Sequence, residues 1–197
     1  MCGHATLAAG WVMLRMLEPG LSEIVFCTPA GPLTVRAVED QYEIDLPARG
    51  IASCTAPADL ARALGATPAA VLRGASYIAV FEDVATVSGL SPDMAGLSRL
   101  DLPGVIVTAP GASDDCDFVS RYFAPAKGLP EDPATGSAHA QLVPYWAARL
   151  GRPHLRARQL SRRGARIACR LNNDRVVLRA GVVPFMEGTI VADLGDI

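Results

Sequence analysis

The sequence contains no uninterrupted hydrophobic run of transmembrane length, although half of its 197 residues are hydrophobic. A bilayer-spanning helix needs about 20 consecutive apolar residues. The first residues also lack the basic region and apolar core that mark a secretory signal. These absences predict a cytoplasmic protein that does not associate with membranes.

Cysteine is scarce, and its spacing excludes a disulfide framework. The chain has 5 cysteines, an odd number, and none of them form a Cys-x-x-Cys pair. Such usage is typical of reduced thiols in the cytoplasm. A zinc site formed by Cys2, His4 and His139 would match no usual ligand spacing, so we predict no metal site. Glycine-rich phosphate-binding and dinucleotide-binding motifs are absent as well.

The chain has no overall excess of positive charge. Its net charge is −2 and its pI about 5.9, which disfavours a general role in nucleic-acid binding. Residues 149–170 are an exception, with eight arginines and no acidic residue. Nucleic-acid binding is one interpretation. However, Arg156 and Arg158 alternate with Leu155 and Ala157, as on the solvated face of a strand. We favour that face and predict no nucleic-acid partner.

Two short motifs place small residues directly ahead of Ala-rich segments. They are CGHATLAA at residues 2–9 and EDPATGSAHA at residues 131–140. In the second motif, Asp132 suits a helix N-cap and Pro133 the first helical position. A helix start carries unpaired N–H groups and about half a positive charge, which attract a carboxylate or phosphate. Two ordinary structural helices are the alternative, because most helix starts bind no ligand.

Several polar residues at these helix starts are candidates for chemistry. Cys2 is a candidate base or nucleophile, but no second cysteine occupies the other motif, which disfavours two-thiol chemistry. His4 is either a structural hydrogen-bonding residue or a catalyst. Asp132 either caps its helix or holds a charge near a ligand, and Ser137 is a candidate donor to a carboxylate. We interpret His139 as structural, because it should face another side of the helix.

The order of predicted elements indicates an α+β fold without regular βαβ alternation. Long helices are predicted over residues 4–17 and 135–150, the second of them bent or broken near Pro144. Shorter helices are expected at residues 59–64 and 91–100. Strands are predicted over residues 24–28, 33–38, 41–46, 77–81, 105–109, 117–123, 155–160, 166–171, 175–178 and 182–191.

The two long helices, each followed by strands, indicate two related halves. The Pro-, Gly- and Ala-rich residues 47–57 are the candidate boundary between them. We expect residues 1–50, joined by a last strand at residues 190–197, to form what is present of the N-terminal half. Residues 51–189 would form the C-terminal half.

The motif at residues 2–9 and the longer stretch RYFAPAKGLPEDPATGSAHAQLVPYW at residues 121–146 resemble the two hallmark segments of the PhzF-like phenazine-biosynthesis family. The resemblance implies the diaminopimelate epimerase fold, in which two pseudo-symmetric halves each wrap a curled mixed sheet around a central helix. It also implies an active site between the halves. The matching site positions are Gly3, His4, Asp132, Gly136 and Ser137, with His4 and Asp132 in the catalytic roles.

The resemblance further implies an isomerase that moves a proton within a small cyclic or amino carboxylic acid. Such an enzyme would use no cofactor and would form a homodimer. In the family, the general acid/base is a glutamate on a segment upstream of the first motif. We expect this sequence to lack that segment and its first half to be incomplete. The alternative is a non-catalytic carboxylate binder or an inactive truncated homologue.

Overall fold

The computed structural model describes residues 3–29 and 31–189. The helices are α1 (Gly3–Val12), α2 (Leu60–Leu64), α3 (Val84–Gly89), α4 (Met94–Ser98) and α5 (Gly136–Leu150). The strands are β1 (Glu23–Thr28), β2 (Gly31–Val38), β3 (Gln41–Pro47), β4 (Ala52–Ser53), β5 (Ala70–Arg73), β6 (Tyr77–Val80), β7 (Val105–Ser113), β8 (Cys116–Phe123), β9 (His154–Gln159), β10 (Ala165–Asn172) and β11 (Arg175–Ala180).

All eleven strands belong to one mixed, open sheet, in the order β1-β2-β3-β11-β10-β9-β8-β7-β6-β5-β4. Neighbouring strands are antiparallel except in the parallel pairs β6–β7 and β8–β9. The late strand β11 pairs with β3 on one side and β10 on the other, and so joins the N-terminal hairpin to the rest of the sheet. The fold is therefore α+β, as predicted.

Two hydrophobic cores flank this sheet. The larger core lies beneath α1 and α5, and the smaller one lies beneath α2, α3 and α4. Strand β8 contributes to both, because Phe118 packs in the first core and Val119 in the second. Alternate side chains of a strand point to opposite faces, so a strand covered on both sides is apolar at successive positions.

Helix α5 runs without a break through Pro144, so the predicted break there is wrong. Proline has no N–H to donate to the carbonyl four residues earlier, which is that of Ala140. The backbone N–H of Arg49 donates to this carbonyl instead, at 2.9 Å. Arg49 lies between β3 and β4. The carbonyl that the proline leaves free therefore binds this connection to the helix.

The first predicted long helix is observed as α1 followed by a π-helical turn, Met13–Leu17. A strand was predicted at residues 182–191. For residues 182–189, which the structure describes, this prediction is wrong, because they belong to no strand. Pro184 offers no N–H for strand pairing, which explains this difference. The helix predicted at residues 91–100 is shortened to α4, and α3, β4 and β5 were not among the predicted elements.

The proposed division into residues 1–50 and 51–189 stays a prediction. Residues 190–197, expected to add a last strand to the first half, lie outside the described residues, as does Cys2. The described part of the chain contains no helix with the length and apolar content that crossing a membrane requires.

Candidate active site

The two glycine-containing helix starts meet in the folded chain. A methyl group built on Gly3 would lie 3.3 Å from Cα of Gly136, and one built on Gly136 would lie 3.3 Å from Cα of Gly3. Beneath both glycines lies Leu46, whose Cδ1 would be 3.7 Å and 3.4 Å from the two added methyl groups. The backbones of α1 and α5 can approach this closely because neither residue carries a side chain.

This contact brings together the positive ends of two helix dipoles. The N–H groups of Gly136 and Ser137 have no acceptor among the described residues. Ser137 is half-buried, and His4, one residue into α1, is exposed. The arrangement places open donors and a titratable side chain at one point of the surface, where an anionic ligand would be attracted from solvent.

Asp132 is not the N-cap of α5, which corrects the prediction from sequence. The helix begins at Gly136, and Thr135 occupies the capping position in extended backbone geometry. Asp132 lies in the preceding loop, where its Oδ2 accepts a hydrogen bond of 2.6 Å from the Thr135 hydroxyl. Pro133 is likewise outside the helix. Only about 7% of Asp132 is exposed, so its carboxylate is held in place at the edge of the site.

Gln159, which the sequence analysis did not select, fixes this loop from below. It ends β9 and is 1% exposed. Its Oε1 accepts the Thr135 N–H at 2.8 Å, and its Nε2 donates to the carbonyl of Asp132 at 2.6 Å. The available signal was alternation: Leu155, Ala157 and Gln159 share the buried face of β9, and a buried amide needs partners.

Glu131, the neighbour of Asp132, is bound by an arginine. Its two carboxylate oxygens accept hydrogen bonds of 2.8 Å and 3.1 Å from Arg121. Arg121 also donates to the carbonyls of Val87 and Leu90, which hold its guanidinium against α3. A bidentate pair of this kind has a fixed geometry, so Glu131 is a poor choice for a mobile acid/base.

His139 lies one turn into α5 and is completely buried. Its Nδ1 is 2.8 Å from the carbonyl oxygen of Thr135, which can only accept, so Nδ1 carries the proton. Burial lowers the pKa of His139, which keeps the ring neutral. Nε2 has no partner among the described residues. This environment agrees with the structural role predicted for His139.

Two cavities of the described chain lie elsewhere. One of about 670 Å³ is lined by α1 and residues 182–187, and one of about 410 Å³ by residues of β9, β10 and the turn between them. We assign the candidate site to the helix starts despite this, because the open N–H groups of α5 lie there against the first residues of α1 and next to the loop that carries Asp132. Residues 3–29 and 31–189 contain no cluster of three potential metal ligands.

The sequence matches the PhzC-PhzF family model, described as phenazine biosynthesis-like protein, over residues 1–188. The chain belongs to this family. An isomerase of Pseudomonas aeruginosa is 43% identical over 190 residues, which cover 96% of this chain and 73% of that relative. The name of this PhzF-like relative supports isomerase activity in the family.

Solved structures agree with the family assignment. A putative PhzC/PhzF protein of Clostridium difficile superposes with a TM-score of 0.89 at 36% identity, covering 98% of this chain and 74% of that one. A probable proline racemase of Agrobacterium radiobacter superposes with a TM-score of 0.64 at 11% identity, covering 100% of this chain and 69% of that one. This distant likeness shows that the PhzF-like chain shares its fold with that probable racemase.

Proposed function

We propose that this chain is a PhzF-like isomerase that moves a proton within a small cyclic or amino carboxylic acid, bound where α1 and α5 begin. The observation that carries the proposal is the contact between Gly3 and Gly136. Two helix starts that touch offer one anion more donors than either would alone, and donors fixed before the ligand arrives stabilise developing negative charge without reorganisation.

Each predicted site residue has a distinct part in this proposal. The amides of Gly136 and Ser137 bind the substrate carboxylate together with the start of α1 at Gly3. Asp132 uses one oxygen to accept from Thr135. Its other oxygen, which has no partner among the described residues and is not fully enclosed, accepts from a polar group of the substrate. The exposed imidazole of His4 orients the substrate and exchanges a proton with it.

The proton at carbon is moved by a second acid/base. Glu131 does not take this role in the proposal, because Arg121 holds both of its oxygens. We assign the role to a glutamate upstream of Gly3, as the family resemblance implies. The chain spans 73% of the length of its Pseudomonas relative, so the relatives contain additional polypeptide in which such a residue can lie. The proposed reaction uses no cofactor, and the enzyme is proposed to be a cytoplasmic homodimer.

Hydrogen–deuterium exchange at carbon tests this function. The complete natural protein, incubated in deuterated buffer with a panel of small amino and cyclic carboxylic acids, should incorporate deuterium next to the carboxylate of at least one of them. The variants His4→Ala and Asp132→Asn should lose at least about 100-fold of that rate, the usual contribution of a general acid/base. Asp59→Asn is the matched control, because Asp59 is exposed and paired with Arg62.

A second function is a small-carboxylate binder without catalysis, which the engagement of Glu131 by Arg121 favours. It predicts saturable binding of an acid by calorimetry with no deuterium incorporated at any carbon. Full exchange rates in both variants would contradict the catalytic roles of His4 and Asp132. Absence of both binding and exchange across the panel would contradict both functions.

A further inference from the structure

The arginine-rich segment at residues 149–170 forms a concave surface as well as a solvated one. As predicted, Leu155 and Ala157 are buried while Arg156 and Arg158 are exposed. The turn between β9 and β10, with the adjoining ends of both strands, lines an open cavity of about 410 Å³. The cavity is lined by Arg158, Gln159, Leu160, Ser161, Arg163, Gly164, Ala165 and Arg166.

Two of the lining arginines directly oppose each other. Arg158 of β9 and Arg166 of β10 are register partners in an antiparallel pair. Side chains at such positions project to the same face with Cβ atoms about 5 Å apart, and like charges there repel. Arg163 in the connecting turn adds a third positive charge. The fold therefore concentrates like charge at one point of a chain whose net charge is −2.

Few carboxylates compensate this charge. Within the described residues, Arg158, Arg163 and Arg166 form no salt bridge, whereas Arg152 is paired with Asp117. Asp115 is the acidic group beside the cluster; it lines the neighbouring cavity together with Arg158 and Arg166. A hydrogen bond from Ser113, aided by these two arginines, lowers the pKa of Asp115. Arg156 and Arg179 line that neighbouring cavity as well, so guanidinium groups outnumber carboxylates around the cluster.

The turn that carries Arg163 is fixed by its own hydrogen bonds. The Ser161 hydroxyl accepts the N–H of Gly164 at 3.1 Å and donates to the carbonyl of Pro133 at 2.8 Å. Gly164 has a φ of +73°, a conformation that glycine adopts without strain. The cavity wall is therefore held to the loop that precedes α5, and the arginines project from a defined backbone.

We propose that this cavity is a binding site for a doubly charged phosphate-type oxyanion, held by Arg158, Arg163 and Arg166. Guanidinium groups bind such oxyanions through paired N–H donors, and the anion relieves the repulsion across the β9–β10 pair. The excess of positive charge favours an anion with more than one negative charge, such as a phosphate dianion or one end of a pyrophosphate. The proposed site uses none of Gly3, His4, Asp132, Gly136 and Ser137, and the inference does not rest on the proposed function.

Calorimetric titration of the whole protein with sodium pyrophosphate, and separately with inorganic phosphate, tests the site at low and constant ionic strength. We expect saturable binding with one ion per chain. Arg158→Gln and Arg166→Gln should each weaken it about tenfold, because each removes one charge-assisted pair of hydrogen bonds. Arg36→Gln is the matched control, since it removes the same charge from an exposed strand position that is paired with Glu23.

Thermal unfolding separates loss of the site from loss of the fold. Without added anion, Arg166→Gln should melt at the same temperature as the natural protein or above it, because the variant relieves the repulsion from Arg158. At the same concentration, pyrophosphate should raise the melting temperature of the natural protein more than that of this variant. No saturable binding, equal weakening by Arg36→Gln, or binding of a single-stranded oligonucleotide without binding of pyrophosphate would each overturn the proposal.

Discussion

Gly3 and Gly136 touch through their backbones, although 133 positions separate them in the chain. Each is the first described residue of its helix, and each would place an added methyl group 3.3 Å from Cα of the other. The contact explains why both motifs carry glycine at this point. It also determines where the open amides of α5 face, and the proposed carboxylate site depends on it.

Adding a methyl group at this contact should weaken both packing and binding. Gly136→Ala would bring its Cβ against the backbone of Gly3 and Cδ1 of Leu46. We expect a loss of about 1–2 kcal/mol in the free energy of unfolding, the usual cost of overpacking. Urea denaturation measures this. Gly89→Ala, at a helical glycine with open space around it, should not destabilise the protein. Equal stability of both variants would show that the helix starts are not in contact.

Removal of the side-chain amide of Gln159 should lower the free energy of unfolding. Gln159→Leu leaves the Thr135 N–H and the Asp132 carbonyl without their buried partner. We expect a loss of about 2–3 kcal/mol, because buried polar groups that lose their partner retain the cost of desolvation. The exposed Gln41→Leu is the control for the same chemical change. Hydrogen exchange should show faster exchange at the Thr135 amide; unchanged protection there would contradict this role for Gln159.

Helix α1 depends on a second glycine for its packing against the sheet. A methyl group built on Gly10 would lie 2.7 Å from Cβ of Val35, which is fully buried on β2. Gly10→Ala should therefore cost about 1–3 kcal/mol, although alanine is the better helix former. Combining it with Val35→Ala makes a double-mutant cycle. Alanine at position 35 leaves space for the added methyl group, so Gly10→Ala should cost less in the Val35→Ala background than in the natural protein. Simple additivity of the two costs would contradict the close contact.

His139 should make stability depend on pH in the weakly acidic range. Its pKa is lowered in the folded state by burial, so the unfolded chain binds its proton first. Stability from this group is present at neutral pH and falls as the pH drops below about 6.5, with a slope of up to about 1.4 kcal/mol per pH unit. Denaturation midpoints between pH 7 and pH 5 measure it. His139→Asn should flatten this dependence and exposed His154→Gln should not; identical slopes in both variants would exclude His139 as the source.

Sequence patterns predicted those parts of the fold that depend on near neighbours. The alternation in residues 41–46 and 155–160 located β3 and β9, and the predicted ends of the helices at residues 64 and 150 match the ends of α2 and α5. The two site motifs were visible for the same reason, since small residues ahead of an Ala-rich run are a local signal. The short elements α3 and β5 escaped because a few residues carry too little periodicity to stand out.

The misplaced cap at Asp132 has a different cause. The position of Asp132 depends on the hydrogen bonds of its whole loop. Gln159, which binds the Asp132 carbonyl, comes from a strand 27 residues later. The direction of Glu131 was equally hidden, because Arg121 reaches it from the preceding strand. The Gln159 contact is long-range, and the Arg121 contact depends on how β8 and the loop before α5 fold back on each other, so neither follows from helix-start signals alone.

By itself, then, the sequence determined that this chain has two glycine-bearing helix starts, an α+β arrangement and an arginine-rich strand face. Helix capping and hydrophobic periodicity depend on residues that are near one another in the chain, so they can be recognised in the sequence. Only the tertiary structure decided that Gly3 meets Gly136, that β11 lies beside β3, and that Arg158 opposes Arg166. Those contacts arise from the packing of distant segments on one sheet, where steric fit and strand register, rather than local preference, select the partners.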